Sequence, residues 1–175
     1  MDAGTLLEIW TTPSAAASMA QVPSARLVAG AGIEGDRYAS GGGTWAQYPD
    51  LEKQLTLIDG DDVAAVSAEV GAPFTTADTR RNLVTTGIEL PALVGRWFAV
   101  GDALLFGMKR CPPCTHLERL TGAPARVAPE ATAFPWRGAH TMLQWLVLPG
   151  NSESSSESDG YAWIESGHRT MSRWS

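Results

Sequence analysis

The stretch GRWFAVGDALLFGM, residues 95–108, contains two apolar runs separated by Gly101 and Asp102. A Gly-Asp pair between two runs of β-forming residues is typical of a tight hairpin turn. The sequence therefore predicts two adjacent strands, over residues 95–100 and 103–108. Because this hairpin combines the clearest strand pattern with the clearest turn, it directs the fold prediction towards β structure.

Further short apolar runs on both sides of this hairpin also predict strands. The chain contains 18 Gly and 11 Pro, which favour many turns and short elements over a helical bundle. Short strands between frequent turns are typical of barrels and sandwiches. We expect a mainly β fold, a barrel with one or a few short helices. The further predicted strands cover residues 5–10, 26–29, 54–58, 81–86 and 142–148.

One helix is predicted near residues 60–70. Val63, Val66 and Val70 recur at helical spacing, which gives the segment one apolar face. Asp59 stands where an N-cap belongs, and Gly71 stands where a C-cap glycine belongs.

Length and charge exclude several classes of protein. A chain of 175 residues fits one domain. Its formal net charge of -6 argues against nucleic acid as a partner and against anionic membranes. No apolar run approaches the length of a membrane span, and the start of the chain has no signal-peptide pattern. We therefore expect a cytoplasmic protein whose partners are small molecules.

The end of the chain changes character. Residues 151–159, NSESSSESD, contain five Ser and three acids after the single Asn. Such a run is typical of disordered segments, because it cannot bury enough apolar surface to offset chain entropy. We therefore predict one domain over residues 1–150 and an irregular, disordered tail over residues 151–175.

The sharpest chemical motif is Cys111-Pro112-Pro113-Cys114, directly after the hairpin. A thiolate binds soft metals and attacks electrophiles, and nearby Lys109, Arg110 and His116 favour that form. Structural zinc is disfavoured because the chain has only one such pair. A thioredoxin-like role is disfavoured because no βαβ unit precedes the motif. A dithiol redox or metal-binding protein stays open, as do two small residues packed in a loop.

Two charged motifs are candidates for binding. Gly35-Asp36-Arg37 either holds a charged pair beside a ligand or forms an ion pair on a surface turn. Arg80-Arg81-Asn82 either clamps a phosphate or forms a solvated strand edge. Because side chains alternate along a strand, at most one of the two arginines is a good phosphate ligand.

Taken together, these motifs resemble the MOSC domain, which is named for the C-terminal part of molybdenum cofactor sulfurases. The resemblance covers residues 26–139 and is closest to the short, stand-alone members. It depends on the order and spacing of several segments rather than on any one of them. These segments are GIEGDRY (32–38), QLTLID (54–59), RRNLVTTGIEL (80–90), LVGRWFAVGDALLFG (93–107) and CPPCTHLERLTG (111–122).

The resemblance implies a β barrel that binds the molybdenum cofactor, a molybdenum ion held by a pterin (molybdopterin). It implies that Cys114 is the catalytic residue and the metal ligand. The chain has no room for the pyridoxal phosphate domain of the long sulfurases. The residues expected to bind the cofactor are Gly35, Asp36, Arg37, Arg81, Asn82 and Arg110.

The resemblance leaves three functions open. The first is oxidoreduction with redox partner proteins, the second is sulfur transfer on Cys114, and the third is non-enzymatic cofactor carriage. Residues 136–139 resemble the start of the family's closing segment, but the chain then departs from the pattern, since the Ser/Glu run stands where a closing strand is expected. We therefore expect the barrel to lack that strand, which would leave sheet edges exposed.

Overall fold

The computed structural model describes residues 3–48, 53–70, 74–110, 145–148, 161–166 and 169–173. Within these residues, the chain forms strands in two sheets and a single α-helix. The strands are β1 (Gly4–Thr11), β2 (Ala20–Val22), β3 (Ser24–Val28), β4 (Gly32–Ile33), β5 (Leu57–Asp59), β6 (Leu83–Thr86), β7 (Trp97–Val100), β8 (Ala103–Gly107), β9 (Trp145–Leu148), β10 (Tyr161–Glu165) and β11 (Arg169–Arg173). The helix is α1 (Gly60–Val70). Two short 3₁₀ turns cover Ala77–Thr79 and Leu90–Leu93.

The larger sheet is arranged around β1. Its strand order is β5-β6-β1-β11-β7-β8-β9, and β2 also pairs with β1. β5 and β6 are parallel, with Leu57 opposite Leu83, and α1 lies in the connection between them. The other pairings of this sheet are antiparallel. The predicted hairpin is confirmed, since Val100 of β7 lies opposite Ala103 of β8.

The smaller sheet has the order β10-β3-β4. Leu27 of β3 lies opposite Ile33 on one side and Ala162 on the other. Leu27, Ile33 and Ile164 are almost fully buried and join the same apolar cluster as residues of the larger sheet. The two sheets therefore share one core. From the larger sheet this core receives Leu6, Ile9, Leu57, Leu83, Phe98, Val100, Ala103 and Leu105.

The predicted helix is confirmed over Gly60–Val70. Val63 and Val66 are each 3% exposed, as their spacing requires. The Oδ1 atom of Asp59 accepts the backbone N–H of Asp61 at 2.8 Å, so Asp59 caps the helix as predicted. Gly71 lies outside the described residues.

The expected closed barrel is not found among the described residues. The larger sheet is an open path that has β5 at one end and β9 at the other. The fold is thus mainly β with one helix, and the sheets that the structure describes are open. Sequence patterns locate strands, but closure depends on pairing between strands far apart in the chain.

The prediction of an irregular tail is wrong for residues 161–165 and 169–173. β10 pairs along β3, and β11 lies between β1 and β7. The aperiodic sequence of β10 and β11 does not predict strands. Their partners β3 and β1 lie more than 130 residues earlier in the chain, so the pairing leaves no local signal. The predicted boundary at residue 150 and the Ser/Glu run lie outside the described residues.

Candidate functional site

The two charged motifs of the sequence meet beside the end of β1. Asn82 Nδ2 donates to Asp36 Oδ2 at 3.2 Å, although the two residues are 46 positions apart. The backbone N–H of Arg37 donates to the carbonyl of Thr12 at 2.7 Å, which holds the turn against the end of β1. The fold therefore brings Asp36, Arg37 and Asn82 together.

The Asp36 carboxylate is 1% exposed and is surrounded by donors. Its Oδ2 atom accepts the backbone N–H of Thr12 at 3.2 Å, and its Oδ1 atom accepts that of Tyr38 at 3.2 Å. Arg37 Nη1 lies 3.7 Å from Oδ2 and forms an ion pair with it. A buried charge is tolerated only when it is paired and hydrogen-bonded, and Asp36 meets both conditions.

Asn82 uses both ends of its amide. Its Oδ1 atom accepts the Thr56 hydroxyl at 2.8 Å, and its Nδ2 atom also donates to the Trp10 carbonyl at 3.1 Å. Its backbone N–H donates to Thr56 Oγ1 at 3.0 Å. Asn82 therefore ties β1, the segment before β5 and the Asp36 turn together.

A second guanidinium, that of Arg80, lies beside Arg37. Arg37 Nη2 donates to the Arg80 carbonyl at 2.9 Å. Arg80 has φ 55°, a left-handed conformation that is uncommon for a non-glycine residue. Its Nη1 and Nη2 atoms donate to the carbonyls of Ala17 and Ala15, at 2.9 and 2.7 Å. We call Asp36, Arg37, Arg80 and Asn82, with Thr12 and Thr56, the Asp36 cluster.

The cluster carries more positive than negative charge. Burial lowers the pKa of Arg80 below its usual value, and the neighbouring Arg37 charge lowers it further, while Asp36 and Tyr38 act in the opposite direction. Two guanidinium groups face one carboxylate, which leaves one formal positive charge. A half-buried net positive charge of this kind favours the binding of an anion.

Glycines let the loops of the site pack closely. Gly35 has φ 79° and a Cβ there would meet nothing within 4 Å, so this position favours glycine for its backbone conformation rather than for space. A Cβ at Gly43 would lie 2.4 Å from the Tyr38 ring, so only glycine lets the backbone cover that ring. The Ala15 N–H donates to the Gly42 carbonyl at 3.0 Å, which joins this loop to the segment that binds Arg80.

The remaining predicted residues are placed as follows. Arg81 is half-buried beside the cluster, and its backbone N–H donates to Thr79 Oγ1 at 3.2 Å. Arg110 is exposed after the end of β8. Cys111 and Cys114 lie outside the described residues. So do all three histidines, and within the described ranges no group of three or more Cys, His, Asp or Glu is placed to hold a metal ion.

Sequence reasoning missed Gln54. Gln54 is 5% exposed, and within the described part of the chain neither Oε1 nor Nε2 has a hydrogen-bond partner. Native proteins leave few buried polar groups in this state. The only signal in the sequence is a polar residue at the start of the apolar alternation QLTLI.

None of the helices that the structure describes is both long and apolar enough to cross a lipid bilayer. Among curated proteins, no sequence matches the chain.

Solved structures show the same fold. YiiM from Escherichia coli has a TM-score of 0.64 and 16% identity, and the match covers 99% of this chain and 70% of that one. YiiM from Geobacillus stearothermophilus has a TM-score of 0.63 and 14% identity, with coverage of 97% and 75%. YuaD from Bacillus subtilis has a TM-score of 0.67 and 14% identity, with coverage of 95% and 93%. The chain spans 66% of the length of a fourth neighbour, described as a hypothetical protein.

A family model for the MOSC domain matches residues 33–147. The match includes Gly35-Asp36-Arg37, Arg80-Arg81-Asn82 and the Cys111–Cys114 motif. It spans well over half of the chain, and the chain therefore belongs to the MOSC domain family.

Proposed function

We propose that this MOSC domain binds the molybdenum cofactor and that Cys114 is the thiolate ligand of the metal. The observation that carries the proposal is the net positive charge of the Asp36 cluster, within a chain whose overall charge is -6. Family membership supplies the cofactor class, and the cluster supplies a local reason for an anionic group to bind.

The residues present fit the anionic part of such a cofactor. A guanidinium has five N–H donors. Arg80 donates from Nη1 and from Nη2 to two backbone carbonyls, which holds its plane in place and leaves further donors for a phosphate. Asp36 and Asn82 are used within the protein, so their role is to orient Arg37 and the surrounding loops. Arg81 and Arg110 add positive charge in this proposal.

When bound, the cofactor would supply a molybdenum centre capable of two-electron chemistry or of sulfur exchange. The chain would position the cofactor and supply charged side chains near it. Arg110 is exposed at the end of β8, four residues before Cys114 in the sequence, and a nearby cation favours the thiolate form of cysteine. Gly35 allows the turn that directs Asp36 inwards, because it has φ 79°.

The same proposal places the protein in the cytoplasm, acting on a small-molecule substrate. In the oxidoreductase form, a redox partner protein supplies the electrons. In the sulfur-transfer form, Cys114 carries sulfur, and a persulfide on that residue is the expected species in a mass spectrum. Bound cofactor without turnover would instead indicate a carrier.

Metal analysis tests the proposal. Wild type, Cys114→Ala and Cys111→Ala are purified from a host that makes the cofactor, and their circular dichroism spectra are compared to establish folding. Molybdenum and pterin content are then measured together. We expect Cys114→Ala to lose molybdenum and Cys111→Ala to lose less of it. Equal molybdenum content in wild type and Cys114→Ala contradicts the assignment of the ligand.

The Cys-Pro-Pro-Cys spacing itself supports a second candidate, a dithiol redox or metal-binding protein. It predicts that both cysteine variants lose function equally and that variants of Arg37 or Arg80 leave it unchanged. A wild-type protein without pterin or molybdenum favours this candidate.

A further inference from the structure

Gln54 stands apart from the other buried polar side chains near the Asp36 cluster. Asp36, Asn82 and Thr56 all have hydrogen-bond partners within the chain. Gln54 is 5% exposed, yet none of the residues that the structure describes bonds to either of its amide atoms. Burying an amide without hydrogen bonds is unfavourable, so a group outside this chain is a natural source of the missing bonds.

The Gln54 segment cannot swing out to water without disturbing its neighbours. A Cβ at Gly32 would lie 2.0 Å from the Gln54 carbonyl oxygen, so the two backbones are in direct contact. Leu55, the next residue, is fully buried in the apolar core. The position of Gln54 is therefore fixed by the main chain on one side and by the core on the other.

Gln54 lies two residues before Thr56, which is a member of the Asp36 cluster. Leu55 and Leu57 enter the core, whereas Thr56 between them bonds to Asn82. Gln54 forms the bend directly before this segment and is itself buried. Gly32, which contacts the Gln54 backbone, precedes Asp36 by only four residues. A ligand held by the cluster is thus within the neighbourhood of this amide.

The chemistry of the side chain restricts what it binds. A carboxamide presents an acceptor and a donor side by side, and it pairs with a planar ring edge that offers the complementary donor and acceptor. A phosphate offers only acceptors and would leave Oε1 unpaired. A hard metal ion would bind Oε1 and leave Nε2 unpaired.

We propose that Gln54 is a ligand-recognition residue that pairs with the donor–acceptor edge of a planar cyclic amide, the chemistry of a pterin ring. This inference rests on the proposed cofactor binding and adds to it the residue that distinguishes the ring from a simple phosphate. Arg37 and Arg80 attract the anionic end of the ligand, and Gln54 selects the heterocycle.

Gln54→Met tests this role, because it keeps the length of the side chain and removes both polar atoms. Two samples are needed: protein from a host that makes the cofactor, for bound pterin by fluorescence, and cofactor-free protein, for urea unfolding. We expect bound pterin to fall at least about tenfold, since the ring edge would be left unpaired. We expect the cofactor-free variant to unfold at a higher urea concentration than wild type, because an unpaired buried amide has been removed.

Thr85→Val is the matched control. Thr85 is also fully buried, but its hydroxyl donates to the Ile58 carbonyl at 3.3 Å. This variant should lower the unfolding midpoint and leave bound pterin at the wild-type amount. The two variants thus move stability in opposite directions if Gln54 is unpaired in the free protein.

Three results would overturn the inference. A lower unfolding midpoint for cofactor-free Gln54→Met shows that the amide has partners without a ligand. Unchanged pterin content in Gln54→Met overturns the role of Gln54 and leaves the proposed function standing. A wild-type protein that contains no pterin overturns both.

Discussion

The Asp36 cluster and Gln54 are neighbouring buried polar regions that differ in how their hydrogen bonds are made. Asp36 accepts from Thr12, Tyr38 and Asn82, and it pairs with Arg37. Gln54 is also buried, but no described residue bonds to either of its amide atoms. The difference teaches that burial by itself does not identify a structural polar group. The cluster holds three chain segments together, whereas Gln54 adds nothing of this kind to the free protein.

The largest loss of folding free energy is expected from Asp36→Ala, which removes the central hydrogen-bond acceptor of the Asp36 cluster. The change removes an acceptor from two backbone N–H groups and leaves the Arg37 guanidinium, which is also buried, without its counter-charge. Removing one partner of a buried ion pair costs about 3–5 kcal/mol of folding free energy. Urea unfolding followed by circular dichroism measures this loss.

Glu34→Ala is the control for that prediction. Glu34 pairs with Arg26 at 3.0 Å, but its side chain is 59% exposed. Exposed pairs contribute under about 1 kcal/mol, so this variant should unfold close to wild type. If Asp36→Ala lost no more stability than Glu34→Ala, the cluster would not be the structural centre described above.

The next largest loss of stability is expected at Gly32, whose backbone contacts that of Gln54. Gly32→Ala forces φ +104° on a residue with a side chain and puts its Cβ 2.0 Å from the Gln54 carbonyl oxygen. Backbone strain and overpacking together predict a loss of about 3 kcal/mol. Thermal and urea unfolding of the variant check this value.

Gly35→Ala separates the two causes. Gly35 also has a positive φ, +79°, but a Cβ there would meet nothing within 4 Å. Only the strain of the positive φ applies here, which predicts a loss of about 1–2 kcal/mol of folding free energy. Equal losses in the two variants would mean that the Gln54 segment moves aside, and that Gln54 is less firmly fixed than its burial indicates.

The smallest change in stability is expected for Asp62, which lies at the surface, where water screens its charge. Burial and the neighbouring Asp59 and Asp61 charges raise the pKa of Asp62 above 3.8. The folded state therefore binds this proton more tightly than the unfolded state. The favourable contribution of protonated Asp62 is complete below about pH 3.8 and is lost as the pH rises through the higher folded pKa.

Asp62→Asn should accordingly raise stability at pH 7 by no more than about 0.5 kcal/mol, given its exposure. The gain should disappear near pH 3, and melting temperatures across this range measure it. A loss at pH 7 would mean that the attraction of Asp62 to the start of α1 outweighs the repulsion.

Local patterns predicted much of the fold. The spacing of Val63 and Val66 located α1, and the Gly101-Asp102 pair located the turn between β7 and β8. Such signals depend on residues close together in the chain, so the sequence contains them completely. Composition failed for β10 and β11, because their pairing partners are distant and their polar neighbours dominate the local count.

The candidate site was predictable in its residue types but not in its connections. Asp36 and Arg37 stood out at a predicted turn and Asn82 in a predicted strand, and the family resemblance joined them. Arg80 could not be singled out from Arg81, because the choice depends on a left-handed backbone at φ 55°. The polar residue at the start of QLTLI was the only sign of Gln54 in the sequence, since whether a buried amide has partners depends on its surroundings rather than on the residue.

By itself, the sequence determined the periodic elements, the family and the kinds of chemical group available. Each of these is encoded in residue order over short distances or in a set of motifs. The tertiary structure alone decided that Asn82 reaches Asp36, that Arg80 lies beside Arg37, and that β11 lies between β1 and β7. It also decided that the buried amide of Gln54 has no partner among the described residues. The physical reason is that hydrogen bonding, burial and charge excess depend on which distant segments the core brings together.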